Sequence, residues 1–333
     1  MIAMYHRMRL GLVGTAILVV SLAPSLSMGQ SSDKDAALAE ANRLTRDAAR
    51  FYFAGRYAQA EPLLQQALAI QEKALGPEHP TVAGSLNNLA ELYRGQAQYA
   101  RAEPLLRRAL AIWEKALGPE HPDVATGLNN LALLHQARGQ LAEAERAHRR
   151  ALAVREKALG SEHPMVAHSL NNLGDLYLTR RRLKDAQPLL QRALAIREKA
   201  LGGEHLDVAT SLNNLGLLYH NQGDHAQAEP LLRRGLAIRE KLLGPEHPEV
   251  GASLHNLASV YQAQGRLVEA EAPQRQALAV WEKVLGPEHP NVAAALENLA
   301  ALLRATQRSP EADTVEQRVK TIRAKQGQKT PGR

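Results

Sequence analysis

Residues 105–122, LLRRALAIWEKALGPEHP, carry the reading that decides the fold. Leu105, Leu106, Ala109, Ile112 and Ala116 fall at helical spacing and predict an amphipathic helix with one apolar stripe. Leu117-Gly118 ends that helix, because glycine accepts a positive φ without a Cβ penalty, and Pro119 forbids continuation. Pro122 then stands where proline favours a new helix start. The Leu-Gly step recurs at 75–76, 117–118, 159–160, 201–202, 243–244 and 285–286, always 42 residues on. A fixed period of this length predicts stacked units rather than one globular core, since each unit buries its apolar face only against its neighbours.

Working back from that helix, Leu86, Leu89, Ala90 and Tyr93 occupy i, i+3, i+4 and i+7 of another amphipathic segment. The repeat is therefore a helical hairpin. Small residues hold two registers where helices must approach closely. One runs Ala90, Ala132, Gly174, Gly216, Ala258 and Ala300; the other runs Ala102, Ala144, Ala186, Ala228, Ala270 and Ala312. A larger side chain there overpacks the contact, at a cost of about 1–3 kcal/mol. The turn inside the hairpin uses Gly55, Gly139, Gly223 and Gly265, but Ala97, Arg181 and Gln307 replace it elsewhere, which predicts strain or another turn type. Units are expected at 36–76, 82–118, 124–160, 166–202, 208–244, 250–286 and 292–325. The first and last carry polar residues, Arg46, Arg50, Glu316 and Lys320, where inner units carry apolar ones, as end caps should. The fold class is an all-α solenoid of about seven hairpins, with 30–35 as a linker and 326–333 as a disordered basic tail.

The wording L-N-N-L-A-x-L-Y, seen at 86–93, followed by A-E-P-L-L-x-x-A-L-x-I-x-E-K-x-L-G-P-E-H-P, seen at 102–122, resembles the kinesin-light-chain type of tetratricopeptide repeat. The resemblance runs from residue 36 to about 325. It implies a right-handed superhelix whose first helices line a concave groove, and a role in binding proteins. Groove asparagines of kinesin light chains contact cargo peptides, which carries over to Asn87, Asn129, Asn171 and Asn213. His255 and Glu297 depart from the pattern. The motor-binding heptad segment has no counterpart here, so no motor role is implied.

Asn88, Asn130, Asn172, Asn214, Asn256 and Asn298 share a face with the apolar register of Leu92, which predicts amides bonding across the repeat seam. The stripe beside them begins with Asn87, Asn129, Asn171, Asn213 and His255 and continues through Arg94, Gln136, His220 and Gln262. An amide offers donors and an acceptor, so a ladder of them suits an extended peptide backbone. The expected partner is thus a protein: an extended peptide or helix in the groove. A wall element binding polysaccharide or peptidoglycan is the other reading, but a sugar groove wants aromatic platforms and only 4% of residues are aromatic. Trp113 and Trp281 share a register with Arg155, Arg197 and Arg239, where an indole either anchors a partner or packs over a neighbouring loop.

Catalysis has no visible seat: the chain has no cysteine, H-E-x-x-H, G-x-S-x-G, Walker loop or G-x-G-x-x-G. No enzyme activity, cofactor or metal is expected. His79, His121, His163, His205, His247 and His289 fall one to a repeat, so stacked copies stand roughly 10 Å apart. Ligands to one zinc must lie within about 2.1 Å of it, so these histidines read as shaping the entry to the next helix.

The formal charge is +7, from 41 basic and 34 acidic residues. Eight of the cations lie in 1–29 and 318–333, which contain no acid, leaving 33 basic against 34 acidic residues in 30–317. A neutral array offers no stripe for phosphates, so nucleic acid is not an expected partner. Residues 1–29 read as an export signal: Arg7 and Arg9, an apolar run from Leu10 to Leu22, and Ser27 and Gly29 ahead of a cut after Gly29. The run is roughly 20 Å long as a helix, short of the about 30 Å of a bilayer core, so no membrane span is expected in the mature chain. An exported protein, periplasmic or extracellular and bacterial, is the reading, with 1–29 retained as an anchor being the alternative.

Overall fold

In a computed structural model of the chain, residues 32–53 and 55–328 are described, and among them are fourteen α-helices and no strand. They are α1 (Ser32–Phe53), α2 (Tyr57–Leu75), α3 (Pro80–Gly95), α4 (Tyr99–Leu117), α5 (Pro122–Ala137), α6 (Leu141–Leu159) and α7 (Pro164–Thr179), then α8 (Leu183–Leu201), α9 (Leu206–Gln222), α10 (His225–Leu243), α11 (Pro248–Ala263), α12 (Leu267–Leu285), α13 (Pro290–Ala305) and α14 (Ser309–Gln328). The chain is an α-solenoid of consecutive helical hairpins. Helix α1 begins within the stretch read as a linker, and α14 runs three residues into the stretch read as a disordered tail. The export-signal stretch 1–29 lies outside the described residues. No helix among the described residues is long and apolar enough to cross a membrane.

The described chain divides into two compact units, one ending at Leu176 and one beginning at Tyr177. In the first, Ala60, Leu64, Leu89, Ala90, Leu92, Tyr93, Ala102, Leu106, Leu131 and Leu134 form one buried cluster drawn from successive hairpins. A second cluster holds Val82, Leu86, Ala109, Ile112, Trp113, Val124 and Leu128. In the unit from Tyr177, Ala228, Leu232, Leu257, Val260, Tyr261 and Leu302 form the equivalent of the first cluster. Each of these three clusters takes residues from more than one repeat, so most of the core is shared between neighbouring hairpins. Arg46, Arg50 and Lys320 are exposed.

Two backbone conformations fix the period. Gly118 closes α4 at φ 86° and ψ 157°, a region that only glycine enters at low cost. The hairpin turns share one geometry whichever residue occupies them. Ala97, Arg181 and Gln307 take φ of 57°, 59° and 62°, beside 76° at Gly139. In each, the next N–H reaches back to the helix: Gln98 N to Tyr93 O at 2.8 Å, Arg182 N to Tyr177 O at 2.8 Å, Arg308 N to Leu303 O at 2.8 Å. Three non-glycine residues therefore hold a left-handed conformation, and the strain expected of these turns is present without a change of turn type.

The loops between hairpins are stitched by exposed ion pairs at one spacing. Glu78 meets Lys115 at 3.2 Å, Glu204 meets Lys241 at 2.5 Å, Glu246 meets Lys283 at 2.6 Å and Glu288 meets Lys325 at 2.7 Å, and Glu120 pairs with Lys157 in the same way. Such exposed pairs contribute little to stability, because water and salt screen them.

Candidate functional site

The first helices α3, α5, α7 and α9 carry the asparagine pairs, and the structure joins asparagines of successive repeats across the seam. Asn130 Nδ2 on α5 donates to Asn87 Oδ1 on α3 at 2.8 Å. Asn256 on α11 repeats the bond to Asn213 on α9 at 2.8 Å, and Asn298 on α13 meets His255 Nε2 at 3.2 Å. The second member of one pair thus bonds the first member of the pair before it, and both are buried in the cases of Asn87 with Asn130 and Asn213 with Asn256. Asn88, Asn171, Asn172 and Asn214 are buried as well; Asn172 Nδ2 has no partner.

Asn129 departs from the ladder. Its Nδ2 donates to Ser169 Oγ at 2.9 Å and its Oδ1 lies 2.8 Å from His148 Nδ1. His148 stands where the same register elsewhere carries Leu106, Leu190 and Leu232. Burial, and then the charge of Arg155, pushes the His148 imidazole down to about 3, so the ring is neutral. Asn129 is therefore not placed to clamp a guest backbone: both ends of its amide are used inside the unit. Asn213 has less to offer than expected for the same reason, its Oδ1 being taken by Asn256.

The variable part of the stripe differs from one repeat to the next. On α3, Arg94 Nε donates to Glu91 Oε2 at 2.9 Å, and neither side chain is more than 10% exposed. The Arg94 guanidinium loses by desolvation, yet Glu91 beside it keeps its affinity for the proton above the ordinary value. On α5, Gln136 Nε2 donates to Asp175 Oδ2 on α7 at 3.2 Å. Leu133 lies between them in the stripe and is buried. In the second unit, His220 lies with its ring 5.1 Å from that of His225 and is pushed down to about 4 by burial, then by His225 and Arg181. Gln262 is half-buried on α11. His255 is buried with its ring 5.6 Å from Trp281, and burial pushes it down to about 4.

The stripe also takes in the register of Glu91 and Leu133, and among its buried polar atoms without a hydrogen-bond partner in the first unit are Asn87 Nδ2, Glu91 Oε1 and Gln136 Oε1. Such atoms are rare in folded proteins because each lost hydrogen bond costs about 1–3 kcal/mol. They comprise one donor and two acceptors. That set matches a polypeptide backbone, which offers both kinds of partner. Neither a nucleophile with a base nor a metal cage is among them: Ser169 Oγ already accepts from Asn129 and from Arg155, and no described cluster of three or more His, Cys, Asp or Glu could hold an ion.

Both tryptophans are fully buried, which excludes them as exposed anchors. Trp113 Nε1 donates to Pro80 O at 3.2 Å and Trp281 Nε1 to Pro248 O at 3.1 Å. The arginines of that register are buried too, and each donates to a serine fourteen residues on: Arg155 to Ser169, Arg197 to Ser211 and Arg239 to Ser253. Opposite Trp113 the same position is Gly127, where a Cβ would come within 3.1 Å of the indole. Burial pushes Arg155 down to about 10 against the opposing charge of Asp123, so it stays charged at neutral pH. The sequence held a signal for this seam that charge patterning alone does not show: serine follows each of these arginines at one fixed offset.

The tetratricopeptide repeat family model matches residues 44–115, 81–157, 123–199, 180–241, 207–279 and 249–325. Two crystal structures of nearly identical TPR-like repeats, assigned to a kinesin light chain of Podosopora anserina, are 33% and 34% identical to this chain. Each covers 62% of it and 98% of its own length, with TM-scores of 0.53 and 0.52. BtubC (BKLC) from P. vanneervenii is 25% identical over 77% of this chain and 94% of its own, with a TM-score of 0.53. A search of curated proteins returned no match. With the family model spanning all but the ends, this chain belongs to the tetratricopeptide repeat family, with repeats of the kinesin-light-chain kind.

Proposed function

We propose that the protein is a non-catalytic scaffold that binds an extended segment of another protein along the first-helix stripe of its N-terminal unit. One observation supports the reading: Asn87 Nδ2, Glu91 Oε1 and Gln136 Oε1 are buried on that stripe without partners, and they meet a guest backbone only where its docking parts the side chains that now cover them. Leu133 adds an apolar contact between them, and the Glu91–Arg94 pair is neutral as a whole, which favours an uncharged stretch of guest. Asn129 supports this surface from behind through His148 and Ser169.

Affinity capture with the full-length chain and with an E91A/R94A/Q136A variant tests the reading. The variant is expected to lose the captured protein while keeping its helical circular dichroism. Identical captures from both would overturn it. We further propose that the protein acts outside the cytoplasm, as part of the bacterial envelope or beyond it, on the strength of Arg7, Arg9 and the apolar run from Leu10 to Leu22. Fusing residues 1–32 to an export reporter decides that point: a reporter left in the cytoplasm rules the proposal out.

A further inference from the structure

Every residue of α3 from Val82 to Tyr93 is buried, and so is every residue of α5 from Val124 to His135. Over more than three turns of helix, neither keeps an exposed side. The second helices do: α4 exposes Arg101, Pro104, Arg107, Ala111 and Lys115 along one face. Helix α3 packs on α2 and α4, and on α5 beside it. Its Leu89, Ala90, Leu92 and Tyr93 join the cluster that holds Ala60, Leu64, Ala102 and Leu106 of those second helices. At about 100° per residue, Asn87 and Glu91 stand on the opposite side, and Leu133 does the same on α5. Yet Asn87 and Glu91 are 0% exposed and Leu133 is 8% exposed. The second helices do not account for that cover.

Three properties of this chain's own N-terminal stretch suit that side. It carries no charge: residues 10–29 contain no Asp, Glu, Lys, Arg or His. The Glu91–Arg94 pair is neutral as a whole, so a charged occupant would lie buried beside it without a counter-ion. It is apolar, with Leu10, Leu12, Val13, Ile17, Val19 and Leu22 to set against Leu133. It is also long enough. The ten peptide steps from Leu22 to Ser32, where α1 begins, span up to about 33 Å when extended. Helix α5 is two first helices on from α1, roughly 20 Å at ordinary helix spacing.

We propose that in the uncut chain residues 10–22 lie along the first-helix side of the N-terminal unit, over Asn87, Glu91 and Leu133, and keep it from other guests. The inference rests on reading that side as a guest site. It makes the export signal a guest in cis, so the site is open only in the chain that begins at Gln30.

The chain has no cysteine, so L133C places a single thiol on this side. Cell-free synthesis without membranes keeps residues 1–29 attached, and a maleimide reports access to the thiol. Labelling of L133C is expected to run at least about tenfold faster in the chain that begins at Gln30, which keeps all fourteen helices, than in the full-length chain. A synthetic peptide of residues 9–24 should slow it again. A111C, on the exposed face of α4, should label fast in both. Ile17→Asp/Val19→Asp in full-length L133C should speed labelling without shortening the chain, while helical circular dichroism is kept. Equal L133C rates with and without residues 1–29, whether fast or slow, overturn the proposal. So does a full-length Ile17→Asp/Val19→Asp chain that labels no faster. Affinity capture bears on the guest reading alone; the labelling contrast stands or falls without it.

Discussion

Arg197 Nη1 donates to Ser211 Oγ at 2.8 Å, and the two residues stand fourteen apart in the chain, one on the second helix of a repeat and one on the first helix of the next. The same bond joins Arg155 to Ser169 at 2.8 Å and Arg239 to Ser253 at 2.7 Å. Gln71 takes the arginine's place opposite Ser85, at 2.5 Å. Where tryptophan occupies the register, the residue opposite loses its hydroxyl: Gly127 for Trp113 and Ala295, in the same buried cluster, for Trp281. A buried guanidinium needs an acceptor and an indole needs room, so partner and occupant have to change together.

That coupling is measurable. Gly127→Ser crowds Trp113, and Trp113→Arg buries a cation with no hydroxyl to meet it, so each alone should cost about 1–3 kcal/mol. The double variant W113R/G127S rebuilds the pair found at Arg155 and Ser169. Urea denaturation of the four proteins should give a coupling of at least ~1 kcal/mol in favour of the double variant. Strict additivity would show that the two positions do not sense one another.

The left-handed turns store strain that glycine would relieve. Ala97→Gly and Gln307→Gly should each raise stability, by roughly 0.5–1 kcal/mol after the entropy glycine gives up in the unfolded chain. Thermal melts monitored by circular dichroism check this; a fall in Tm for both would mean these turns are not strained.

Gly118 makes the opposite case. At φ 86° and ψ 157° its Cβ would meet no atom within 4 Å, so Gly118→Ala suffers from conformation alone. Destabilisation of about 1–3 kcal/mol is expected in denaturant melts. No loss at all would contradict the backbone geometry of the repeat boundary.

Acid should weaken the fold through His148. Its folded value is about 3 and an unfolded histidine titrates near 6.5, so the unfolded chain binds the proton first as pH falls. The contribution of the neutral ring is complete above about pH 6.5 and drains away towards pH 3, with a slope of about 1.4 kcal/mol per pH unit in between. His148→Leu, the residue of the equivalent positions 106, 190 and 232, should flatten that slope by a measurable part, though it leaves Asn129 Oδ1 unpaired at every pH. Chemical denaturation at several pH values decides between a flattened slope and an unchanged one.

Much of the architecture was legible in the chain. Period, hairpin and small-residue registers follow from residues such as Leu117-Gly118, Ala90 and Ala102, because helical spacing and glycine's conformational freedom are local properties. The site was legible only in outline. Asn87 and Asn129 have the same residue type at the same register, and nothing local separates them; one has its amide nitrogen unpaired while the other is engaged at both its nitrogen and its oxygen by Ser169 and His148. Trp113 was open to two readings for a similar reason, since its burial depends on Gly127 in another repeat.

Sequence by itself determined where the inner helices begin and end, through histidine caps, prolines and glycines that act within a few residues of their own position. Tertiary structure alone decided which polar side chains are spent on one another, because those bonds run between repeats about forty residues apart, as from Asn130 to Asn87. A hydrogen-bonding group has no fixed use until its surroundings remove the water that would otherwise satisfy it, and only stacking of the hairpins does that.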